Sequence, residues 1–121
     1  MSIKKFFSSL YHAFRGLVRI FRAEQNFRLQ TFSAAVVILF SVYFSLRPWE
    51  YVVVILMIVI VMTMEILNTA LEYFSDLLKP RLNFYVQAVK DIMAGAVFLT
   101  SLGAVAVGLI IFLPHFLKLA E

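Results

Sequence analysis

Three apolar segments of near-membrane length, at residues 31–46, 51–70 and 92–113, occupy most of this chain. A helix needs about 20 apolar residues to cross a bilayer, and the second and third segments have that length. The first segment is shorter, but a helix that begins near Glu24 would carry it across with a polar first turn. Hydrophobic residues make up 63% of the 121 residues and the mean hydropathy is +0.93, which is unlike a soluble domain. The predicted fold is therefore an all-α membrane protein.

Short polar connections separate the three segments. Residues 47–50 combine a proline suited to a helix start with a tryptophan suited to the membrane interface, and Glu50 is expected to be solvated there. Pro114 is expected to close the third segment. The predicted organisation is a single domain, with a surface helix and three spans at residues 1–23, about 24–46, about 50–76 and about 88–113.

The segment before the first span has the pattern of an amphipathic surface helix. Large apolar residues recur at spacings of three and four, namely Phe7, Leu10, Phe14, Leu17 and Phe21. Arginines at positions 15, 19 and 22 fall on the opposite face. Such a helix is predicted to lie in the membrane interface, with its basic face toward anionic headgroups rather than nucleic acid.

The basic residues are distributed unevenly between the connections, which predicts the orientation of the spans. With the N-terminus and the second connection inside, nine lysines and arginines are cytoplasmic: Lys4, Lys5, Arg15, Arg19, Arg22, Arg28, Lys79, Arg81 and Lys90. Arg47 and Lys118 then lie outside. The positive-inside rule therefore predicts a multi-pass protein with a cytoplasmic N-terminus and an outer C-terminus.

A stripe of polar residues interrupts the end of the second apolar segment. Glu65, Asn68, Glu72 and Asp76 fall within roughly an 80° sector if the helix continues through them. A charged residue in a membrane helix costs several kcal/mol unless it faces a partner, an ion or water. The stripe therefore predicts a functional site.

Further polar residues reach the same membrane boundary by topology, namely Glu24 before the first span and Lys90-Asp91 at the start of the third. Carboxylates alone would repel one another, but a divalent cation turns them into ligands, and Mg²⁺ is usually held by one or two carboxylates plus substrate phosphates. Acids, a metal and a lysine at a lipid–water boundary indicate phosphoryl transfer. A different class of function, a small ion-coupled transporter or channel subunit, would account for Glu65 alone.

The residues that carry this pattern resemble a known family. The run from Glu65 to Glu72 (Glu-Ile-Leu-Asn-Thr-Ala-Leu-Glu), then Asp76 and Lys90-Asp91, is similar to the small prokaryotic membrane lipid kinases, diacylglycerol kinase and undecaprenol kinase. Residues 13–17 and 23–28 resemble that family's surface helix and its junction. The resemblance implies a homotrimeric bundle with active sites shared between subunits, in a bacterial inner membrane, with ATP and Mg²⁺.

The resemblance also implies roles for individual residues. Glu65 would be the general base that takes the proton of the lipid hydroxyl, and Asn68 would orient Glu65 or that hydroxyl. The residues implied to hold the metal are Glu24 and Glu72. The residues implied to contact nucleotide are His12, Glu24, Glu72, Asp76, Lys90 and Asp91. Asp76 has a purely structural alternative, which is pairing with Lys79 three residues on.

The chain departs from the family pattern after Pro80, where an acidic-Tyr-His sequence is common and Arg81-Leu82-Asn83 stands here. This departure bears on nucleotide selectivity. Residues 108–114 resemble the undecaprenol kinase branch, so undecaprenol is the expected substrate and diacylglycerol the alternative.

Overall fold

The computed structural model describes residues 2–81 and 83–121, and this part of the chain forms four helices. They are α1 (Ile3–Ala23), α2 (Gln25–Tyr43), α3 (Pro48–Leu78) and α4 (Asn83–Ala120). No strand occurs among the described residues, so the predicted all-α class is confirmed. Helices α2, α3 and α4 are each long and apolar enough to cross a membrane.

Helix α1 begins at a side-chain cap and ends at a sharp break. The Ser2 hydroxyl accepts a hydrogen bond from the backbone N–H of Lys5 at 3.2 Å, which satisfies one of the free donors of the first turn. Glu24 then adopts an extended conformation, with φ −114° and ψ 117°, and separates α1 from α2. Phe7 and Phe14 on α1 are exposed, which leaves its apolar face available to a bilayer.

Arg28 braces this break. Its Nη1 atom donates hydrogen bonds to the backbone carbonyls of Phe21 and Arg22 at 2.9 and 2.8 Å. These carbonyls belong to the last turn of α1 and have no partner further along that helix. The guanidinium therefore holds the end of α1 against the first turn of α2 and defines the corner at which Glu24 lies.

The most densely packed part of the bundle lies at the end where α2 passes into α3, here called the α2–α3 end. Leu46, Val54 and Ile111 form a buried cluster that joins the connection, α3 and α4. The Tyr51 hydroxyl donates to the Ser41 carbonyl at 3.0 Å. Pro48 occupies the first turn of α3, where its missing N–H is not needed.

Glu50 corrects one expectation from the sequence, since it is buried rather than solvated, with 7% of its surface exposed. Its Oε1 atom accepts the backbone N–H of Arg47 at 2.9 Å, and its Oε2 atom lies 3.6 Å from Nε2 of His115. The reason is tertiary, because α4 brings His115 against the start of α3. Glu50 is thus a cap of α3 and a contact to α4.

Helix α4 is longer than the span predicted within it, at about residues 88–113. It begins at Asn83 and continues through Pro114 to Ala120. The proline ring fixes φ near its helical value, so Pro114 removes one backbone hydrogen bond without preventing the last turns from forming. The connection from α3 is correspondingly short, and it contains Lys79, Pro80, Arg81 and Leu82, of which Leu82 lies outside the described residues.

Candidate active site

The end of the bundle where α3 passes into α4 is here called the α3–α4 end. Glu65 lies just past the middle of α3, in the half of the helix nearer to this end. Only 4% of its surface is exposed. Among residues 2–81 and 83–121, no hydrogen bond or ion pair joins its carboxylate to another side chain. A buried carboxylate without a hydrogen bond or a counter-ion is costly, so its retention points to a role outside folding.

Two further carboxylates face Glu65. Glu24, at the break between α1 and α2, and Glu72, two turns further along α3, both lie close enough to act on the charge of Glu65. The helix period brings Glu72 to the same face, whereas Glu24 arrives there because the chain turns at its own position. The structure therefore places three of the five acids of the sequence-predicted site near one another.

Asn68 is the polar partner of this group. Its Nδ2 atom donates a hydrogen bond to Oε1 of Glu72 at 3.3 Å. The sequence led us to expect that it orients Glu65 or a lipid hydroxyl, but in this structure the contact goes to Glu72. The spacing of four residues on one helix accounts for this, since side chains one turn apart are neighbours.

Lys90 on α4 forms an ion pair with Asp76, the next acid along α3. Its Nζ atom lies 3.5 Å from Oδ1 of Asp76, and its charge also acts on Glu72. This contact crosses from α4 to α3, so the local alternative for Asp76, an ion pair with Lys79, is not the one formed. Both Asp76 and Lys90 are therefore placed at the rim of the acid group.

Two predicted site residues stand apart from the acids. Asp91 is exposed, and its Oδ1 atom accepts a hydrogen bond from Nε2 of Gln87 at 2.9 Å on the same helix. His12 is exposed on α1, where its ring packs edge-to-face against Tyr11 with centroids 5.6 Å apart. No hydrogen bond or ion pair in the described part of the chain connects either residue to Glu65.

The depth of the acids follows from the length of α3. Its 31 residues exceed a bilayer span, and about 20 residues counted from Trp49 at one interface reach about residue 69. Glu65 then lies roughly one turn inside the hydrocarbon boundary and Glu72 roughly one turn outside it. Hydroxyls of membrane lipids lie at this level, and so do ions and phosphates from the aqueous side.

The donor set fits a hard divalent cation. The three carboxylates repel one another, and a cation between two of them would relieve that repulsion. No group of three or more His, Cys, Asp or Glu side chains in the described ranges is arranged to hold a metal by itself. The arrangement therefore suits an ion that takes one or two protein carboxylates and completes its shell with phosphate and water.

An apolar groove of about 290 Å³ leads toward the acids between α2, α3 and α4. Its lining runs from the α2–α3 end to the turn before Glu65 and includes Leu29, Gln30, Val54, Met62, Gly108 and Phe112. The groove is largely apolar, which suits a hydrocarbon chain.

Sequence reasoning missed two buried polar atoms near this groove. Gln30 Oε1 and Thr69 Oγ1 are buried and have no hydrogen-bond partner within the described residues. The sequence gives little signal for Gln30, because it lies in the polar first turns of α2, between Arg28 and Thr31. Thr69 lies one turn after Glu65 on the face of the acid stripe. A threonine there does not by itself indicate a site, because its hydroxyl often donates a hydrogen bond to a backbone carbonyl of its own helix.

Comparison with known proteins gives three concordant findings, one from a family model and two from relatives. Residues 11–112 match the protein-family model described as prokaryotic diacylglycerol kinase. Undecaprenol kinase of Bacillus subtilis is 34% identical over 112 residues, which cover 93% of this chain and 91% of that protein. Diacylglycerol kinase of Synechocystis sp. is 36% identical over 112 residues, which cover 92% of this chain and 64% of that protein.

Proposed function

Because this chain belongs to the prokaryotic diacylglycerol kinase family and is a membrane lipid kinase, we propose that it phosphorylates undecaprenol with Mg²⁺ and ATP. The observation that carries the proposal is the burial of Glu65 with no hydrogen bond or ion pair to it among the described residues. Two further carboxylates lie near it, and it follows by one turn the last α3 residue that lines the apolar groove, Met62. A transporter function would account for Glu65 but not for the two other carboxylates, and the family match does not support it.

Glu65 acts as the general base in this proposal. Its carboxylate accepts the proton of the lipid hydroxyl while the hydroxyl oxygen forms a bond to the γ-phosphorus of ATP. The bond from that phosphorus to the bridging oxygen of ADP breaks, and ADP leaves with the electron pair. The absence of any hydrogen bond to the Glu65 side chain in the described structure supports this role, because the lone pairs of the carboxylate are free to receive a proton.

Glu24 and Glu72 are the proposed metal-holding residues. Mg²⁺ bound there would neutralise charge on the β- and γ-phosphates during transfer. Glu72 is further from the hydrocarbon than Glu65, and the Asn68 amide fixes one of its oxygens, so the other oxygen is free to bind an ion. Glu24 reaches the same place because Arg28 braces the corner between α1 and α2.

The remaining predicted residues are proposed to contact the nucleotide. Lys90 lies at the rim of the acid group and provides a charge for phosphate oxygens, and Asp76 holds its ammonium at 3.5 Å. Asp91 and His12 are exposed and available to the base or ribose from the aqueous side. Their separation from the acids within one subunit is compatible with a site completed by another subunit.

Undecaprenol is preferred to diacylglycerol as the substrate for two reasons. The Bacillus subtilis relative, named undecaprenol kinase, is matched over 91% of its length, whereas the diacylglycerol kinase relative is matched over 64%. The groove is lined largely by apolar side chains, which suits an isoprenoid chain. The hydroxyl of either lipid would lie at the level of Glu65.

A micelle assay tests the reaction and the lipid together. The purified protein is given ATP and Mg²⁺ in mixed micelles that contain undecaprenol or diacylglycerol at equal mole fraction, with lipid phosphate as the product measured. We expect the higher kcat/KM with undecaprenol and loss of product when Mg²⁺ is chelated. Faster phosphorylation of diacylglycerol would reverse the lipid assignment, and transfer that persists without a divalent ion would contradict the metal.

We further propose that the active unit is a homotrimer. Much of the apolar surface of α4 is exposed in a single chain, and a side chain added at Gly95 would meet no atom within 4 Å. Small residues on a membrane helix usually permit close approach of another helix, and no helix of the same chain approaches there. A monomeric mass for the active protein in detergent would contradict this proposal.

The proposed orientation places the α3–α4 end in the cytoplasm of a bacterial inner membrane, because nine of the eleven basic residues lie on that side. Since the chain contains no cysteine, single cysteines report topology directly. Arg81→Cys should react with an impermeant reagent from the cytoplasmic side, and Arg47→Cys from the outside. The opposite pattern would place the acids away from cellular ATP.

A further inference from the structure

Thr69 on α3 has a buried hydroxyl that no group in the described part of the chain satisfies. Only 4% of the residue's surface is exposed, and its Oγ1 atom has no hydrogen-bond partner within residues 2–81 and 83–121. Burial of a hydroxyl without a partner is unfavourable, and valine has nearly the same shape without that cost. The fold therefore gives no reason for a hydroxyl at this position.

Other hydroxyls on the spans are satisfied by their own helix. Three of them donate to the carbonyl four residues earlier: Thr31 to Phe27 at 2.9 Å, Ser41 to Val37 at 2.8 Å and Thr100 to Ala96 at 3.1 Å. This is the usual solution for a threonine or serine inside a helix. Thr69 does not use it, since its hydroxyl makes no bond to the carbonyl of Glu65. Its donor is free for a group that is not part of the chain.

The position of Thr69 on α3 places this hydroxyl among the proposed reacting groups. Around the helix it falls about 40° from Glu65 and about 60° from Glu72, at 3.6 residues per turn. Along the helix axis it lies about 6 Å beyond Glu65, and Glu72 lies about 10 Å beyond Glu65, at 1.5 Å per residue. Thr69 is thus at a level between the proposed general base and the proposed metal.

One group of the proposed reaction has to occupy that level. The lipid hydroxyl lies beside Glu65, and the metal at Glu72 holds the β- and γ-phosphates, so the transferred phosphoryl group passes between them. Its equatorial oxygens carry negative charge throughout the transfer. A hydroxyl that keeps its own proton can donate a hydrogen bond to one of these oxygens, and a bond to a charged acceptor is stronger than one between neutral groups.

We propose that the Thr69 hydroxyl donates a hydrogen bond to an oxygen of the phosphoryl group while that group moves from ATP to the lipid. This inference rests on the proposed kinase function and adds a substrate-contacting residue to the same site. The lipid hydroxyl is a less suitable partner, because it reacts at the level of Glu65, about one turn away. Before transfer the metal holds the phosphate nearer to Glu72, so the contact is strongest in the transition state. Its loss therefore lowers kcat more than it raises KM.

The test measures kcat, KM for ATP and KM for lipid of Thr69→Val and Thr69→Ser in detergent micelles. For Thr69→Val, which replaces the hydroxyl by a methyl group, we expect kcat to fall about ten- to hundred-fold and both KM values to stay within about two-fold. Thr69→Ser keeps the hydroxyl and should retain most of kcat. If Thr69→Ser is as slow as Thr69→Val, the shape of the side chain matters and the hydroxyl does not, which would overturn the proposal.

Thr100→Val is the matched control, because it makes the same substitution at a hydroxyl that is bonded to its own helix. It should keep the wild-type kcat. Unfolding in detergent then separates a catalytic role of Thr69 from a structural one. Since the Thr69 hydroxyl makes no hydrogen bond within the described structure, Thr69→Val should be at least as stable as the wild type. A lower unfolding midpoint with an unchanged kcat would assign the hydroxyl to the fold and overturn the proposal.

A pH profile tests whether Thr69 acts through Glu65 instead of on the phosphoryl group. Loss of a hydrogen bond to the Glu65 carboxylate would move the acid limb of the profile of kcat against pH, because that limb reports protonation of the general base. A lower kcat with the acid limb in place supports contact with the phosphoryl group. A shifted limb in Thr69→Val would overturn that contact in favour of one to Glu65.

The outcomes separate this inference from the proposed function. If the wild-type protein phosphorylates lipid and Thr69→Val has the same kcat, the kinase proposal stands and the role of Thr69 is wrong. If the wild-type protein transfers no phosphate from ATP to lipid, the proposed function is wrong, and the role of Thr69 is wrong with it. The wild-type rate therefore tells which of the two has failed.

Discussion

Helix α3 buries two glutamates, Glu50 in its first turn and Glu65 just past its middle, and the surroundings of the two differ. Glu50 accepts the backbone N–H of Arg47 and lies 3.6 Å from His115, so one of its oxygens is hydrogen-bonded and the other has a potential cation beside it. Glu65 is buried to a similar degree but faces Glu24 and Glu72. Burial is nearly equal at 7% and 4%, so the difference lies in the partners.

The comparison shows how a structural acid differs from a functional one. Glu50 caps the start of α3, and the His115 ring beside it packs against Phe44 with centroids 5.4 Å apart. Glu65 makes no such contact, and burial of a carboxyl group without a hydrogen-bond partner is unfavourable. An acid that stabilises nothing and lies at the end of an apolar groove is best explained by its chemistry.

The largest expected effect is that of Glu65→Gln, which should reduce lipid phosphorylation by about 10²- to 10⁴-fold. Glutamine keeps the size of the side chain but cannot accept the proton of the lipid hydroxyl. The free energy of unfolding should hold or rise, because a buried charge is removed. Initial rates and unfolding in detergent measure the two quantities, and Glu50→Gln is the matched control with near wild-type rates. Ordinary turnover by Glu65→Gln would refute the general-base assignment.

The next effect concerns the metal. Glu24→Ala and Glu72→Ala should each shift the Mg²⁺ dependence of activity to higher concentration by about ten-fold or more, because each variant removes a hard oxygen ligand. Activity titrated against Mg²⁺ at fixed ATP measures the shift. Glu50→Ala removes the same charged group from the far end of α3 and should leave the midpoint unchanged. If both site variants titrate like the wild type, the ion binds elsewhere.

Glu50→Ala should have the reverse profile, with reduced stability and intact chemistry. Loss of its contact with the Arg47 N–H removes a capping interaction that is typically worth about 1 kcal/mol. The midpoint of unfolding in detergent should fall, while kcat of the folded protein stays close to the wild-type value. Glu50→Gln keeps an acceptor for that N–H and should lose less. If the Glu50→Ala protein is as stable as the wild type but inactive, the assignment of a structural role to Glu50 and a chemical role to Glu65 is wrong.

The smallest expected effect belongs to Asn68→Ala. This variant removes the hydrogen bond to Glu72, worth about 1 kcal/mol, or about five-fold in rate or Mg²⁺ affinity. We expect the change in the Mg²⁺ titration, because the amide orients a proposed metal-holding residue. A loss as large as that of Glu65→Gln, with Mg²⁺ affinity unchanged, would instead place Asn68 beside the reacting hydroxyl.

Local rules applied to the sequence were sufficient for the helices and for most of the acid stripe. In a membrane every backbone group must be satisfied within its own segment, so long apolar segments become helices whatever surrounds them. The period of 3.6 residues then places Glu65 and Glu72 on one face without further information. Pro48 at the start of α3 follows from the same local chemistry.

Only the tertiary structure decided which charges meet. Glu24 reaches Glu65 because the chain breaks at its own position and Arg28 holds the corner, and neither follows from periodicity. Glu50 is buried because α4 continues beyond Pro114 and brings His115 to it from 65 positions away. The pairing of Lys90 with Asp76 likewise depends on how α4 packs against α3. Hydropathy and helical period act along the chain, whereas the energy of a charge depends on its neighbours in space, and those were set by packing.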